Sequence, residues 1–361
     1  MGARTRGIAN NILSDGLDAT DGLSGTLSSS NITNASVTNV TSTPSIGGGF
    51  DKVASDPPSP TEGDIWFNTT SNSVKGYVYR NVPSSFSTGG NLPVGRGDTA
   101  GAGTKTAGLL ICGYNPTNTT TCNEYTSSTW TSAGSTSNAR YYHGGTGTQT
   151  AAVTGSWWTG GGIGNGTEEY NGSSWSGAPS QSTGRLFYTM GGTQTASYIA
   201  GGDARPSEPV TNKTEEYNGS SWTSGANLPG AQNNRTNLGV TTAGMSVSSS
   251  PHPSGNPGVL FYDGTTWTSS PATLANPGNS NRGAGTQTNA IMATGPSNST
   301  QKWDGTSWAV DATYSTTGGR TTANQDGDAT VLMSGSGPVG YFGDTEEYEP
   351  GTVGVLVSTL G

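Results

Sequence analysis

Six arginines, Arg96, Arg140, Arg185, Arg235, Arg282 and Arg320, recur once in each of six successive stretches of this chain, and together they are six of only 15 basic residues. A guanidinium repeated in this way has two uses. It can fix a fold by pairing with a carbonyl or carboxylate of a neighbouring element, or the set can form a basic collar suited to an anionic sugar or an acidic protein face. The sequence favours the first use. Carboxylates recur as well, in Glu168-Glu169, Glu215-Glu216 and Glu346-Glu347, and glycoside hydrolysis needs two that converge on one bond. These repeat beside a regularly spaced tyrosine, so a solvated strand edge is their plain reading, and no catalytic residue is assigned. The two histidines, His143 and His252, fall in different stretches, and with Cys112 and Cys122 they make no metal-ligand set. Neither a metal nor another cofactor is expected. The cysteines flank a turn-rich segment, 114–121, that reads as a hairpin loop. Two free buried thiols are expected there, with a disulfide across the hairpin as the alternative.

The elements that must hold these residues announce themselves by repetition. Tyr170-Asn171-Gly172-Ser173-Ser174-Trp175, Tyr217-Asn218-Gly219-Ser220-Ser221-Trp222, Tyr262-Asp263-Gly264-Thr265-Thr266-Trp267 and Trp303-Asp304-Gly305-Thr306-Ser307-Trp308 are copies of one phrase, with looser versions at Tyr125 and Tyr348. The leading aromatics at 125, 170, 217, 262, 303 and 348 are spaced 45, 47, 45, 41 and 45 apart, the period of a propeller built from four-stranded blades. Asn-Gly and Asp-Gly between apolar strand residues tolerate positive φ and close tight hairpins. Ahead of each hairpin runs a strand of small residues, such as Gly147-Thr148-Gln149-Thr150-Ala151 and Gly285-Thr286-Gln287-Thr288. Small residues suit the crowded axis of a propeller, and large rings fill the wedge where sheets splay outward.

The fold expected is therefore all-β, a β-propeller of six four-stranded blades preceded by an extended N-terminal arm. The last repeat lacks a tryptophan strand after Tyr348, yet Ser84-Ser85-Phe86-Ser87-Thr88-Gly89-Gly90-Asn91-Leu92-Pro93 nearly copies Ser220-Ser221-Trp222-Thr223-Ser224-Gly225-Ala226-Asn227-Leu228-Pro229. Donation of the early strand to the last blade would close the ring and remove an exposed edge. A seventh, composite blade from residues 63–92 and Val353 to Leu360 is the alternative. Residues 84–361 are assigned to the propeller, 57–83 to a proline-rich linker and β-hairpin, and 1–56 to the arm. In the arm, Leu27, Ile32 and Val37 fall at every fifth position, a spacing that fits neither helix nor strand. It reads either as a tether or as a segment ordered by packing on a partner or on copies of itself.

Composition narrows the partners. Charged residues are 11% and the net charge is −9 with no basic run, which argues against nucleic acid, where affinity comes from neutralising phosphates. The longest apolar stretches are too short to span a bilayer, so no membrane insertion is expected, and Met1-Gly2-Ala3-Arg4-Thr5-Arg6 leads into polar residues rather than a signal-peptide core. Nine Trp and 14 Tyr at regular spacing supply the apolar area that a disordered chain of this polarity would lack. Trp157, Trp158 and Tyr188 lie near expected blade loops, where their rings can either stack on sugars or pack inside.

The glycine doublet Gly201-Gly202, its displaced form Gly160-Gly161-Gly162, the single Gly113, and the Tyr with a Trp five beyond it together resemble the kelch repeat over residues 84–350. That resemblance implies a propeller more firmly than a function. The copper oxidases that share the kelch propeller need a His, Tyr and Cys ligand cluster that this chain does not assemble. Asp263-Gly264-Thr265-Thr266-Trp267 is one residue short of the Asp box of sialidases. The Asn11-Ile12-Leu13-Ser14-Asp15-Gly16 start, the Ser/Thr/Asn-rich arm and Gly63-Asp64-Ile65-Trp66-Phe67-Asn68-Thr69-Thr70 are similar to tail-fibre and appendage proteins of bacteriophages. The resemblance implies a non-enzymatic virion protein, assembled in the host cytoplasm. Its arm would dock on other virion proteins, and its propeller would bind a host cell-surface glycan or protein. It implies a homo-oligomer, a trimer being one form. A capsid or collar decoration protein making only protein contacts, and a polysaccharide depolymerase, are the alternatives.

Overall fold

A computed structural model describes residues 51–60, 64–158, 161–206, 209–248, 258–276, 282–293, 298–316, 318–323, 327–328, 330–337 and 340–360. The arm expected over residues 1–56 therefore falls almost wholly outside the described residues. Every regular element described is a β-strand, and the strands form seven four-stranded sheets. Among the described residues no helix is long and apolar enough to cross a membrane. The chain divides into two compact units, Ser84–Pro350 and the described residues at both ends.

Ser84–Pro350 holds six of the sheets, and they are the six expected blades. The first strands of the blades are Ala100–Thr104, Gly144–Gly147, Met190–Thr193, Arg235–Val240, Arg282–Gly285 and Gly319–Thr322. Each packs on the first strand of the next blade, and the sixth packs on the first, so the ring closes at six. The small residues are required there: a Cβ on Gly101 would run into the Thr322 carbonyl of blade 6. Blade 6 is completed by Ser85–Thr88, which pairs with Gly340–Glu349 in the register Tyr348 to Phe86. The same register joins Tyr217 to Trp222 within blade 3. Phe86 thus fills the place of the missing tryptophan, with its ring 5.4 Å from Tyr348 and 6.0 Å from Tyr314.

Between consecutive blades lies one layer of core. Leu109, Ile111, Cys112 and Cys122 of blade 1 meet Ala152 and Tyr170 of blade 2, and Leu238, Met245 and Val259 of blade 4 meet Met292, Trp303 and Trp308 of blade 5. Full burial of such side chains is worth about 1.5–3 kcal/mol each. The Glu-Glu-Tyr repeat organises the polar part of these layers. Tyr170 donates its hydroxyl hydrogen to Glu124 of blade 1 (2.7 Å), Tyr217 to Glu169 of blade 2 (3.0 Å), Tyr262 to Glu216 of blade 3 and Tyr125 to Glu347 of blade 6 (2.6 Å). In these four blades the tyrosine thus reaches back to the carboxylate of the blade before. Gln149, Gln194 and Gln287, from the Gly-Thr-Gln-Thr strands, donate to two carbonyls of the previous blade at 2.6–3.1 Å. The carboxylates are structural, and the expectation of solvated strand edges is corrected: Glu168, Glu215 and Glu346 are buried.

Trp175 and Trp308 bury indole nitrogens that have no acceptor among the described residues, and the first of them makes a prediction. Trp130, Trp222 and Trp267 donate their indole N–H to Thr345, Thr167 and Thr214, each a Thr of the Thr-Glu-Glu-Tyr phrase in the previous blade, at 2.9–3.0 Å. In blade 1 the phrase reads Cys122-Asn123-Glu124-Tyr125, and the buried indole nitrogen of Trp175 finds no acceptor. Both cysteines are free and buried. Cys122→Thr restores the missing acceptor and is expected to raise stability by about 0.5–1.5 kcal/mol, the net worth of a buried hydrogen bond. Thermal denaturation with a lower melting temperature for the variant would contradict this account of the thiol.

The seventh sheet belongs to the other unit, so the composite blade does not join the ring. It pairs Asp51–Val53, Ile65–Asn68, Ser73–Val82 and Thr352–Leu360 in that order. Because Gly351 onward groups here, the propeller ends at Pro350 rather than at 361. Asp56 fastens the proline-rich segment: its carboxylate accepts from the Trp66 indole (3.0 Å), Asn68 (2.7 Å) and Lys75 (2.8 Å), and these bonds hold its pKa down to about 2.

Candidate functional site

The repeated arginines lie inside the propeller. Arg96, Arg140, Arg185 and Arg235 are buried. Arg140 pairs with Glu168 and donates to the Ser156 carbonyl, and Arg185 pairs with Glu215 and donates to the carbonyls of Gly201 (3.2 Å) and Lys213 (2.8 Å). Arg235 donates to Ser246 Oγ and its carbonyl, both at 2.7 Å, and Arg96 to Asn123 at 2.5 Å. Every one of these partners sits in the blade that the arginine opens, not in its neighbour. The buried glutamates also accept a backbone N–H from the loop leading in, Ser137 for Glu168 and Ser182 for Glu215, at 2.8 Å each. The first Glu of the pair thus pins its own blade's approach loop, and the second receives the next blade's tyrosine. A basic collar for an anionic ligand does not form from these four. Arg282 is half-buried at the axis, and Arg320 opens the first strand of blade 6 with its side chain outside the described set.

At the axis a cavity of about 20 Å³, the scale of one water, is bordered by Thr99, His143, Thr189, Asn237, Arg282 and Thr321 among others. His143 is 2% exposed, and among the described residues neither ring nitrogen has a hydrogen-bond partner of good geometry. Burial pushes its pKa well below the ordinary 6.5, and the Arg140 and Arg282 charges push it further. The folded pKa is thus below the unfolded one, so the stability carried by neutral His143 is complete above pH ~6.5 and is lost as pH falls beneath it. His143→Gln is expected to flatten the decline in melting temperature between about pH 6.5 and 5. Parallel declines in both proteins would refute this. His252 lies outside the described residues.

One face of the propeller carries a different chemistry. Strands of a blade alternate in direction, so the loop between its second and third strands shares a face with the loop arriving from the previous blade. The described part of that face gathers Tyr114, Trp158 and Tyr341 from the strand ends flanking the first kind of loop, and Tyr141, Tyr142, Leu186 and Phe187 from the second. Ring centroids follow one another from Phe187 to Tyr142 (4.3 Å), Tyr141 (4.6 Å), Tyr114 (5.2 Å) and Tyr341 (5.8 Å). Tyr142 and Phe187 hold φ of 57° and 56°, and Asp98, equally two residues after a repeated arginine, holds 54°. A bulky side chain in the left-handed region costs free energy and persists only where its surroundings fix it. Here the backbone supplies the restraint: Tyr142 N donates to Asp98 O (3.1 Å), Phe187 N to Tyr142 O (3.0 Å) and Asn234 N to Phe187 O (2.7 Å). Burial and the nearby Asp98 push the Tyr142 phenol up to about 12, so it stays a neutral donor.

At one end of the row, Tyr142, Trp158, Ile163, Leu186, Phe187, Arg205 and Pro206 border a groove of about 440 Å³, within the range of small-ligand sites. Arg205 is exposed, and Asp203 holds its guanidinium by two contacts, 3.0 Å from Nε and 2.7 Å from Nη2. The groove is therefore aromatic and close to neutral, with the Arg205 guanidinium, fixed by Asp203, at its border. Of the three aromatic residues expected near loops, Trp158 lines the groove. Trp157 packs instead over Gly164 and Gly166, with the Arg140 guanidinium 5.3 Å from its ring. Tyr188 is buried and donates to the Gly155 carbonyl at 2.8 Å, so its ring is closed to any sugar.

No family model matches the chain, and no curated protein matches it. Among solved structures it is similar to that of YjhT, with a TM-score of 0.61 and 11% identity over 74% of this chain and 99% of that one. The likeness is one of fold. The share matched equals the length of Ser84–Pro350, and 264 solved chains match this one, so the propeller by itself selects no activity.

The aromatic row escaped the sequence because most of it sits in loops that do not repeat. Its one regular signal is the residue two after each arginine, which is Asp98, Tyr142 and Phe187 in the first three blades and Asn237, Ala284 and Thr322 in the others. Among the described residues no group of His, Cys, Asp and Glu is placed to hold a metal ion.

Proposed function

We propose that this protein is a bacteriophage virion appendage, a tail fibre or similar part, whose kelch-like propeller adsorbs the particle to carbohydrate on the host surface without catalysing a reaction. The observation that carries this reading is the groove bordered by Trp158, Tyr142 and Phe187, with two of its rings held in left-handed backbone. Sugar rings pair an apolar face with a polar rim, and fixed aromatic platforms beside a guanidinium held in place by Asp203 match both. The bacteriophage setting rests on the likeness of the N-terminal segments to appendage proteins. The arm, lying outside the described residues, is proposed to dock on other virion proteins, in a homo-oligomer.

The test is adsorption. The purified full chain, labelled, is expected to bind host cells and to lose that binding after periodate oxidation of their surface. Trp158→Ala is expected to weaken it at least tenfold with an unchanged melting temperature. Binding indifferent to both treatments would reject the reading. Release of reducing sugar from host envelope would replace it with a depolymerase, and a copy number matching the capsid lattice would replace it with a decoration protein.

A further inference from the structure

The groove ends at Tyr142, but the row of rings does not. Tyr141, Tyr114 and Tyr341 continue it across loops of blades 1 and 6, with successive centroids never more than 5.8 Å apart. A monosaccharide seated in the groove would leave these three rings unused. We propose that the row is the binding track of a neutral, linear oligosaccharide several residues long, with its terminal part in the groove and its continuing chain laid over Tyr141, Tyr114 and Tyr341. This rests on the carbohydrate reading above and deepens it.

Three observations point to this ligand. Tyr341 is 37% exposed, and the rings beside it are half-buried, so each offers part of a face to solvent while the backbone collar fixes the neighbouring loops. The hydroxyls of Tyr114, Tyr142 and Tyr341 have no hydrogen-bond partner among the described residues, although the interblade tyrosines Tyr125, Tyr170, Tyr217 and Tyr262 all spend theirs on carboxylates. Phenols in the row are thus left to donate to and accept from a polyol. Charge gives the third: Asp203 offsets Arg205, and the half-buried Arg282 faces Asp98, so the track offers no net cationic site for an acidic sugar. A protein partner fits less well, because a stable interface covers roughly 800 Å² per side and this row is one ring wide.

The experiment titrates the full chain calorimetrically with neutral gluco-, galacto-, manno- and N-acetylglucosamine oligosaccharides, each from one to six residues. In the series that binds, affinity is expected to rise at least tenfold from the disaccharide to the hexasaccharide. Tyr341→Ala is expected to remove most of that gain, whereas Phe187→Ala weakens every length, and both variants are checked by thermal denaturation. Binding with no dependence on length, or a Tyr341→Ala titration that keeps the full gain, overturns the track and leaves the carbohydrate groove standing. Failure of every series overturns both, as does saturable binding only to a host protein.

Discussion

Arg185→Met is expected to destabilise the propeller by about 3–5 kcal/mol, because it leaves the Glu215 carboxylate buried without its counter-charge. Arg185 has no exposed side-chain surface, and Glu215 has 3%. The guanidinium also satisfies the carbonyls of Gly201 and Lys213, which close the second-to-third strand loop of blade 3. Its loss therefore orphans one charge and two backbone acceptors together. For a domain of this size the melting temperature should fall by ~10 °C. The double variant Arg185→Met with Glu215→Leu should recover part of the loss, since replacing both members of a buried pair by apolar groups is often neutral. A single variant that melts within about 2 °C of the parent would show that the ion pair contributes nothing to the ring. The same experiment bears on function, because Arg185 is closed to any ligand, and lost binding in this variant should track lost folding.

What the sequence made legible follows from what repeats. Blade number, the hairpin turns and the small inner strands were all readable from the spacing of Tyr, Asn-Gly and Trp, and so was the strand supplied from before the first repeat. The role of the arginines was readable only in part. Recurrence said that each had one job per blade, but not that the partners of Arg140 and Arg185 were the first Glu of the same blade while Arg96 and Arg235 bond to Asn123 and Ser246. The glutamates were misread for a related reason. A strand's alternation shows which residues share a face, and Glu169 shows its worth only when Tyr217 of the next blade is seen to reach it. The departures are equally informative: blade 5 carries Trp303 where others carry Tyr, and blade 4 carries Phe261 where blades 1, 2, 3 and 6 carry Glu. At that interface neither the donor nor the acceptor is present, and the Phe261 and Trp303 rings pack instead, 6.1 Å apart. The aromatic face stayed hidden because Tyr114 and Tyr341 sit at strand ends beside loops of unlike length, which periodicity cannot align.

Removal of residues 84–92 is expected to have the second large effect, loss of a cooperatively melting propeller and a shift to assemblies larger than the parent forms. Ser85–Thr88 supplies the whole outer strand of blade 6, pairing with Glu346 through Glu349. Without it that strand presents an open row of N–H and C=O groups, the geometry that recruits other chains. Phe86 leaves with it, uncovering Tyr348 and Tyr314, which are buried in the intact ring. A truncated large side chain of this kind alone costs about 3–5 kcal/mol, comparable with the net stability of many domains. Gly89 and Leu92 add two backbone bonds to Thr345 and Gly343, at 2.8 and 2.7 Å, that hold the clasp in register. A synthetic peptide spanning residues 84–92 should restore the parent's assembly size, because an added strand supplies the same ladder in trans, and Phe86→Ala in that peptide should abolish the rescue. Analytical ultracentrifugation of the truncated chain, with and without peptide, reads the outcome. A truncated chain that keeps the parent's assembly size and melts like the parent would mean that the ring is held shut by its axial strands alone, with the clasp only covering an edge.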